Sequence, residues 1–174
     1  DTRVGLSYRS AVDYTLEGSA SFSGMPALNG DIRAKVTLPD SASLSVFHKL
    51  GQQWDVLADI TWTGWSNFDR LAIYRTNGAL LSNTPENWKD ILRYSLGATW
   101  HANEKLSLRG GVAYDEAPVS DAYRTPRIPD GARTWVAVGA QYRVSGQSAV
   151  DFGYAHLFVA DVGLNSVDSL GVTR

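Results

Sequence analysis

Basic and large apolar side chains recur at odd-numbered positions in or beside several stretches that we predict to be strands. The basic candidates for binding are Lys89, Arg93, Arg109 and Arg133. Their ammonium and guanidinium groups could hold a carboxylate through charge-assisted hydrogen bonds. The apolar ones, which could line a site for a hydrophobic molecule, are Trp135, Trp65, Leu57 and Phe47. An alternative stays open for each set: the cations could pair with acids on the same face, and the apolar residues could pack on another part of the protein.

Residues suited to catalysis are sparse. His48, His101 and His156 lie far apart in sequence without metal-ligand spacing, and no G-x-S-x-G, P-loop or G-x-G-x-x-G motif occurs. The chain has no cysteine, which excludes disulfides and Cys-based metal sites. We therefore expect no enzyme activity, no metal and no cofactor.

The elements that position these side chains are indicated by a period of two. From Val4 to Phe22, even positions are apolar or small and odd positions carry charges and serines. Such alternation predicts an extended strand with one apolar and one polar face. Soluble strands usually run about five or six residues, whereas strands that cross a membrane need roughly nine to eleven. This stretch is long enough to cross a bilayer and continue beyond it.

The same parity returns after each turn, which predicts seven strands in all. Even positions are expected to face lipid and odd positions to face a polar lumen. Turns near 50–53, 102–105 and 144–148 are short, whereas the connections at 66–90 and 116–132 are long. Short periplasmic turns and long extracellular loops are typical of outer-membrane barrels. We therefore predict an all-β fold in which residues 1–174 form one partial antiparallel transmembrane β-barrel domain.

Composition agrees with this fold class. Mean hydropathy is only −0.19, and no run of 18 apolar residues occurs, which excludes a helical membrane protein. The net charge of −2 gives no reason to expect a nucleic-acid partner. No signal peptide is visible, so we expect a mature protein or an internal piece of one. Aromatic residues cluster near both ends of the strands on the even parity, as the two aromatic girdles of a barrel would.

Two exceptions to the alternation are candidates for function. Pro39 interrupts the second strand, and because proline cannot donate to a ladder it predicts a kink that could open the barrel wall. Apolar residues also occur in the long segment 66–90, where Asn77-Gly78 suggests a small hairpin. They could form an extracellular hydrophobic groove or simply pack on one another, and they are Leu71, Ile73, Tyr74, Leu80 and Leu81.

Several motifs resemble the FadL family of outer-membrane transporters for long-chain fatty acids and other hydrophobic compounds. The first block is Leu38-Pro39, then Trp54 and residues 59–68. The second comprises Trp88-Lys89-Asp90, Arg93, Gly97, residues 108–115, Ala117-Pro118-Val119, Ile128-Pro129-Asp130, Arg133 and Trp135. The resemblance covers about residues 2–165. Its most specific part is the pairing of Tyr-Asp-x-x-Pro-Val with Pro-Asp-x-x-Arg-x-Trp.

This resemblance implies a 14-stranded barrel plugged by an N-terminal hatch. Substrates would pass from an extracellular groove to an internal pocket and leave sideways through an opening in the wall. Lys89 is the first candidate for binding a head group, because of its place in the Trp-Lys-Asp motif. The chain departs from the family pattern in lacking a hatch, about half the strands and a terminal aromatic strand, and it has Ala132 in place of the second acid of the Pro-Asp motif.

We therefore expect an internal fragment, corresponding to strands seven to thirteen, in the outer membrane of a Gram-negative bacterium. The function implied is passive uptake of hydrophobic molecules such as fatty acids or hydrocarbons. Expected partners are these molecules, outer-membrane lipid, and the remainder of the same barrel with its hatch, whose absence would leave two unpaired sheet edges. Two other classes stay open: a general porin or structural barrel, which needs a water-filled lumen, and a soluble ligand-binding β-sandwich, which would bury the even face.

Overall fold

The computed structural model describes residues 1–164 and is all-β. Two 3₁₀ turns, Pro26–Leu28 and Trp65–Asn67, lie between strands. The strands are β1 Thr2–Arg9, β2 Val12–Ala20, β3 Gly30–Leu38, β4 Ser41–Leu50, β5 Trp54–Thr63, β6 Arg70–Arg75, β7 Leu80–Pro85, β8 Ile91–His101, β9 Leu106–Asp115, β10 Arg133–Arg143 and β11 Ala149–Val159. No helix within residues 1–164 is long and apolar enough to cross a membrane.

The main sheet has seven antiparallel strands in the order β1-β4-β5-β8-β9-β10-β11. Short turns join β4 to β5, β8 to β9 and β10 to β11, and a glycine with φ of 69°, Gly51, begins the first of them. The pairing keeps even residues opposite even ones throughout, as in Val46↔Ala58 and Val138↔Tyr154. The sheet is open, with β1 and β11 at its edges.

The two long strands expected at the N-terminus are each broken in two. β1 and β2 are separated at Ser10–Ala11, and β3 and β4 at Pro39–Asp40. The breaks lie side by side, because Arg9 pairs with Ser41 on one side of them and Val12 with Leu38 on the other. The expectation of one uninterrupted strand from Val4 to Phe22 is therefore wrong, since its neighbour cannot continue the ladder through a proline.

Beyond the breaks, β2 and β3 enter a second sheet of four strands in the order β2-β3-β6-β7. The hairpin β6–β7 forms within segment 66–90, and Gly78 in its turn has φ of 88°. β7 ends at Pro85, and β8 begins at Ile91. Asp40, at the break between β3 and β4, is hydrogen-bonded to β1 and to the end of β5. Its carboxylate accepts from Tyr8 Oη at 3.1 Å, and its carbonyl accepts from Gly64 N at 2.9 Å.

The described chain has almost no hydrophobic core of its own. Its buried apolar residues are Ala113 and Val119, whereas about two dozen large even-numbered strand residues are exposed, up to 82 % for Leu6. At even 1 kcal/mol each, leaving these side chains in water would cost on the order of 20 kcal/mol, more than the 5–15 kcal/mol stability of a typical domain. A soluble sandwich would bury this even face. Its exposure therefore requires an apolar solvent such as lipid.

The loop between β9 and β10 is organised around one buried cation. Arg124 is 3 % exposed and donates to the carbonyls of Val119, Asp130 and Gly163 at 3.1, 2.8 and 2.9 Å. Its guanidinium also forms an ion pair with Asp121. One planar group with five fixed donors thus satisfies several backbone acceptors at once.

Replacing Arg124 by lysine should loosen this loop, because an ammonium group cannot reach the same set of carbonyls. Each buried acceptor left without a partner costs about 1–3 kcal/mol. We expect Arg124→Lys to raise the rate of proteolysis within 116–132 about tenfold or more, measured on the full-length protein in membranes. Arg127→Lys, at an exposed position of the same loop, should leave the rate unchanged. Equal rates for both variants would contradict this role of Arg124.

Candidate functional site

The odd face of the main sheet forms a concavity with a volume of about 770 Å³. Five of the residues that the sequence suggested for binding line it together: Phe47, Leu57, Arg93, Arg109 and Trp135. Strand parity explains this, since all five are odd-numbered residues of β4, β5, β8, β9 and β10 and must emerge on one face. The described residues thus bring apolar and cationic side chains to one surface.

Small residues make the floor of the concavity. In the paired register, Leu57 faces Gly97, Gly97 faces Gly111, and Gly111 faces Ala137. A Cβ added at Gly111 would lie 3.3 Å from the carbonyl oxygen of Leu96, which is closer than most such contacts. Because Gly97 and Gly111 have no side chains, they leave a volume that larger residues around them enclose.

Arg93, Asp115 and Trp135 form a connected group at one side of the concavity. Trp135 Nε1 donates to the Asp115 carboxylate at 3.1 Å, and Arg93 Nε lies 3.8 Å from the other Asp115 oxygen. The Arg93 guanidinium also lies over the Trp135 ring, 5.4 Å from its centroid. The longer ion-pair distance leaves Arg93 donors available to a further acceptor.

Basic side chains outnumber acidic ones in the lining of the concavity. Its lining contains Arg3, Arg93 and Arg109 but only one carboxylate, Asp59. Asp59 accepts from the hydroxyls of Ser45 and Thr61 at 2.7 and 2.9 Å, and Arg109 pairs with Asp151 outside the lining at 3.1 Å. The excess of cations over an apolar floor suits an amphiphile with a negative head group.

A hydrogen-bonded set lies on the same face nearer the short turns. His101 Nε2 is 2.8 Å from the Asp55 carboxylate, and His101 Nδ1 is 3.0 Å from Ser107 Oγ. Ser107 lies in β9, which is paired on both sides by β8 and β10. No cluster of free backbone N–H groups is therefore available there to stabilise an oxyanion. Within residues 1–164, no group of His, Asp and Glu side chains suits a metal ion.

The remaining strand and loop candidates lie elsewhere. Lys89 is exposed in the segment before β8, where its backbone N–H donates to Pro118 O at 2.9 Å. Arg133, at the start of β10, pairs with Asp130. Pro39 lies at the strand break described above. Of the five apolar residues of segment 66–90, Tyr74 lines a second cavity at the four-stranded sheet, whereas Leu71, Ile73, Leu80 and Leu81 do not.

Trp65 lies in a 3₁₀ turn after β5 and packs against another tryptophan rather than in the concavity. Its ring and that of Phe68 meet Trp88 edge-on, with centroids 4.9 and 5.1 Å away. Trp88 Nε1 donates to the carboxylate of Glu86, which is only 3 % exposed. Burial raises the pKa of Glu86, partly offset by this hydrogen bond and by Arg127. Hydrogen bonds from Ser66 and then from Trp62 lower the pKa of Asp90 beside this group.

Sequence reasoning missed Arg3, Asp59 and Asp115. Arg3 lies over the Phe47 ring at 4.8 Å, and Asp115 orients both Arg93 and Trp135. All three are odd-numbered strand residues, so parity could have placed them on the correct face. Their roles depend on cross-strand register, which joins positions far apart in sequence, such as Arg3 and Phe47, which are 44 residues apart.

An open antiparallel sheet with an exposed apolar face and a charged concave face defines the wall of a membrane β-barrel. The model of the family described as outer membrane protein transport protein (OMPP1/FadL/TodX) matches residues 1–173. The chain belongs to this family, and it is accordingly an outer-membrane protein of Gram-negative type.

Individual relatives agree with this assignment. The chain is 34 % identical to outer membrane protein P1 of Haemophilus influenzae, over 99 % of this chain and 38 % of that protein. It is 28 % identical to the long-chain fatty acid transport protein of Escherichia coli, over 95 % and 40 %. The crystal structure of a Pseudomonas aeruginosa FadL homologue matches with a TM-score of 0.89 at 26 % identity, over 98 % and 44 %. The chain thus spans about two fifths of the length of these proteins.

The buried Glu86 carboxyl predicts a pH-dependent stability of segment 66–90. A carboxyl with a raised folded pKa stabilises the fold at a pH below its ordinary value of 4.5, and this contribution is lost as the pH rises through the folded pKa. Glu86→Gln keeps an acceptor for Trp88 without the charge. We expect it to slow hydrogen exchange in 66–90 at about pH 7 but not at about pH 4.

The matched control is Glu104→Gln in the exposed turn between β8 and β9, which should change nothing in 66–90. Faster exchange in Glu86→Gln at neutral pH would show that the ionised carboxylate stabilises the segment and would contradict the prediction.

Proposed function

We propose that this chain forms part of an outer-membrane barrel for passive uptake of hydrophobic molecules, with fatty acids among its substrates. The observation that carries the proposal is the concavity in which Phe47, Leu57 and Trp135 meet Arg93 and Arg109. The name of the E. coli relative, a long-chain fatty acid transport protein, supports the same substrate class. Transport of this kind needs a binding surface and a path, and no bond is made or broken.

The physical chemistry of the concavity fits a single-chain carboxylate. Burial of its alkyl chain against the floor and the apolar residues is favourable by roughly 25 cal/mol per Å² of apolar surface. Arg93 can offer donors to the head group because its contact with Asp115 is 3.8 Å. Binding must also be weak enough to release the substrate. A cation that is partly screened by solvent attracts a carboxylate less strongly than a fully buried cation does, and this favours release.

A general porin would need a lumen lined for water. Trp135 and Leu57 on the odd face argue against one, since large apolar side chains there would dewet a narrow path. Lys89 stays a proposed contact for the head group on the strength of its motif. The outer residues Leu71, Ile73, Leu80 and Leu81 stay proposed contacts for capture of substrate from outside.

The proposal includes partners beyond this chain. The free edges of β1 and β11 would pair with the remaining strands of the barrel, because unpaired edges are not tolerated in hydrocarbon. A hatch would close the lumen, and lipid would cover the even face. A sideways exit for substrate is supported by the adjacent breaks at Ser10–Ala11 and Pro39–Asp40, where the ladder between neighbouring strands is interrupted.

Filling the concavity should block transport. Ala137 lies on its floor, and Ala137→Trp would occupy the space that the row of small residues leaves open. We expect this substitution in the full-length protein to lower uptake of radiolabelled oleate by about tenfold or more, a loss of about 1.4 kcal/mol or more in binding or passage.

The neighbouring Val138 lies on the even face and is 55 % exposed. Val138→Trp adds the same side chain on the lipid side and should leave uptake unchanged. If both variants insert in the outer membrane and transport oleate equally, the concavity is not on the substrate path.

A further inference from the structure

The acidic residue in the lining of the concavity, Asp59, belongs to none of the ion pairs within 4.0 Å among the described residues. Hydroxyls hold its carboxylate instead: Ser45 Oγ donates to one oxygen at 2.7 Å and Thr61 Oγ1 to the other at 2.9 Å. Because Thr61 has given its hydroxyl hydrogen to Asp59, Ser43 must be the donor in the 2.8 Å contact between Ser43 and Thr61. Three hydroxyls of β4 and β5 are therefore oriented toward a single negative charge.

The carboxylate has a fixed place beside the cation Arg93. Thr61 pairs with Arg93 across β5 and β8, and Asp59 pairs with Ser95. Asp59 and Arg93 are therefore diagonal neighbours on the odd face, with Cα atoms roughly 7–8 Å apart. Arg93 nevertheless makes its ion pair on its other side, 3.8 Å from Asp115. Two acids, one on each strand next to β8, thus flank the same cation.

This arrangement acts against a negative head group. A carboxylate bound by Arg93 would be attracted by that guanidinium and repelled by the Asp59 carboxylate, and screening at such short range is only partial. The hydroxyls of Ser45 and Thr61 offer it no hydrogen, because they already donate to Asp59. An uncharged molecule of the same shape experiences neither the attraction nor the repulsion.

The apolar surface of the concavity does not distinguish an acid from a neutral molecule. Leu57 lies next to Asp59 on the odd face of β5, Phe47 pairs with Leu57, and Gly97 and Gly111 continue the row across the floor. Burial of a tail against this surface depends on apolar area and not on the head group. The relative affinity for charged and uncharged molecules is therefore set by the charges of the lining.

We propose that Asp59 is a specificity-determining residue that weakens the hold of Arg93 on a carboxylate. It lowers the preference of the concavity for fatty acids over uncharged hydrophobic molecules, so that both classes bind. Asp59 acts through its electric field at the head group and makes no bond to the substrate. This inference rests on the proposed function, because it takes the concavity as the place where substrate binds.

The test measures binding of laurate and methyl laurate to the purified full-length protein, because the two share one tail and differ in charge. Asp59→Asn removes the charge and keeps groups that can hydrogen-bond with Ser45 and Thr61. We expect it to tighten laurate binding about fivefold at low salt, less at high salt, with methyl laurate binding changed by less than about twofold. Asp59→Ser, also uncharged, should show the same gain, and Asp59→Glu should bind laurate as the parent does. A purely structural role would instead weaken the binding of both ligands.

The matched control is Asp55→Asn, on the same strand and face but outside the lining of the concavity, which should leave both affinities unchanged. In the background of Ala137→Trp, which fills the concavity, Asp59→Asn should no longer affect laurate. Laurate binding that is unchanged or weaker in both uncharged variants, an equal gain for methyl laurate, or a gain that persists with Ala137→Trp would overturn the proposal. Failure of the proposed function would show separately, as equal oleate uptake by Ala137→Trp and Val138→Trp.

Discussion

The structure depends on one constraint: a backbone placed in hydrocarbon must satisfy every N–H and C=O within the protein. Antiparallel ladders do this across the seven strands of the main sheet, and the pleat then sends alternate side chains to opposite faces. Because every short turn preserves parity, the even face is apolar across the whole main sheet, from its edge strand β1 to its edge strand β11. The stability that a soluble domain draws from a core comes here from lipid on one side of a single sheet.

The same alternation frees the odd face for binding. Its residues do not have to pack against lipid, so glycine, alanine, arginine and tryptophan can be placed there at little cost to the ladder. The row Leu57, Gly97, Gly111 and Ala137 creates the concavity, and the group of Arg93, Asp115 and Trp135 gives it a charged side. The ladder stops at Pro39, where the wall is broken, and β3 has no strand paired on the side of β6 after Ala34.

Features of the fold that depend on neighbouring residues in the sequence could be predicted from the period-two alternation and from proline. β5, Trp54–Thr63, lies on the alternation that follows the short turn near 50–53, and Pro39 marked the interruption of the second long strand. The break at Ser10–Ala11 carries no such signal in its own residues, because it is imposed by the proline on the neighbouring strand.

Parity also brought Phe47, Leu57, Arg93, Arg109 and Trp135 to one face. Trp65 followed the same parity but lies beyond the end of β5, where the period of two no longer applies. Asp115 was missed because its contacts with Arg93 and Trp135 depend on register across three strands.

The central claim is that, in the main sheet, even-numbered strand residues face lipid and odd-numbered ones face an aqueous lumen. Its most direct test is a scan of single cysteines carrying nitroxide labels along β10, from Thr134 to Tyr142, in the full-length protein in membranes; the 174 residues contain no native cysteine. Accessibility to oxygen should peak at even positions and accessibility to a water-soluble nickel chelate at odd positions, with a period of two throughout. Alternation of the opposite phase, or nickel accessibility at Val136 and Val138 equal to that at Trp135 and Ala137, would contradict it.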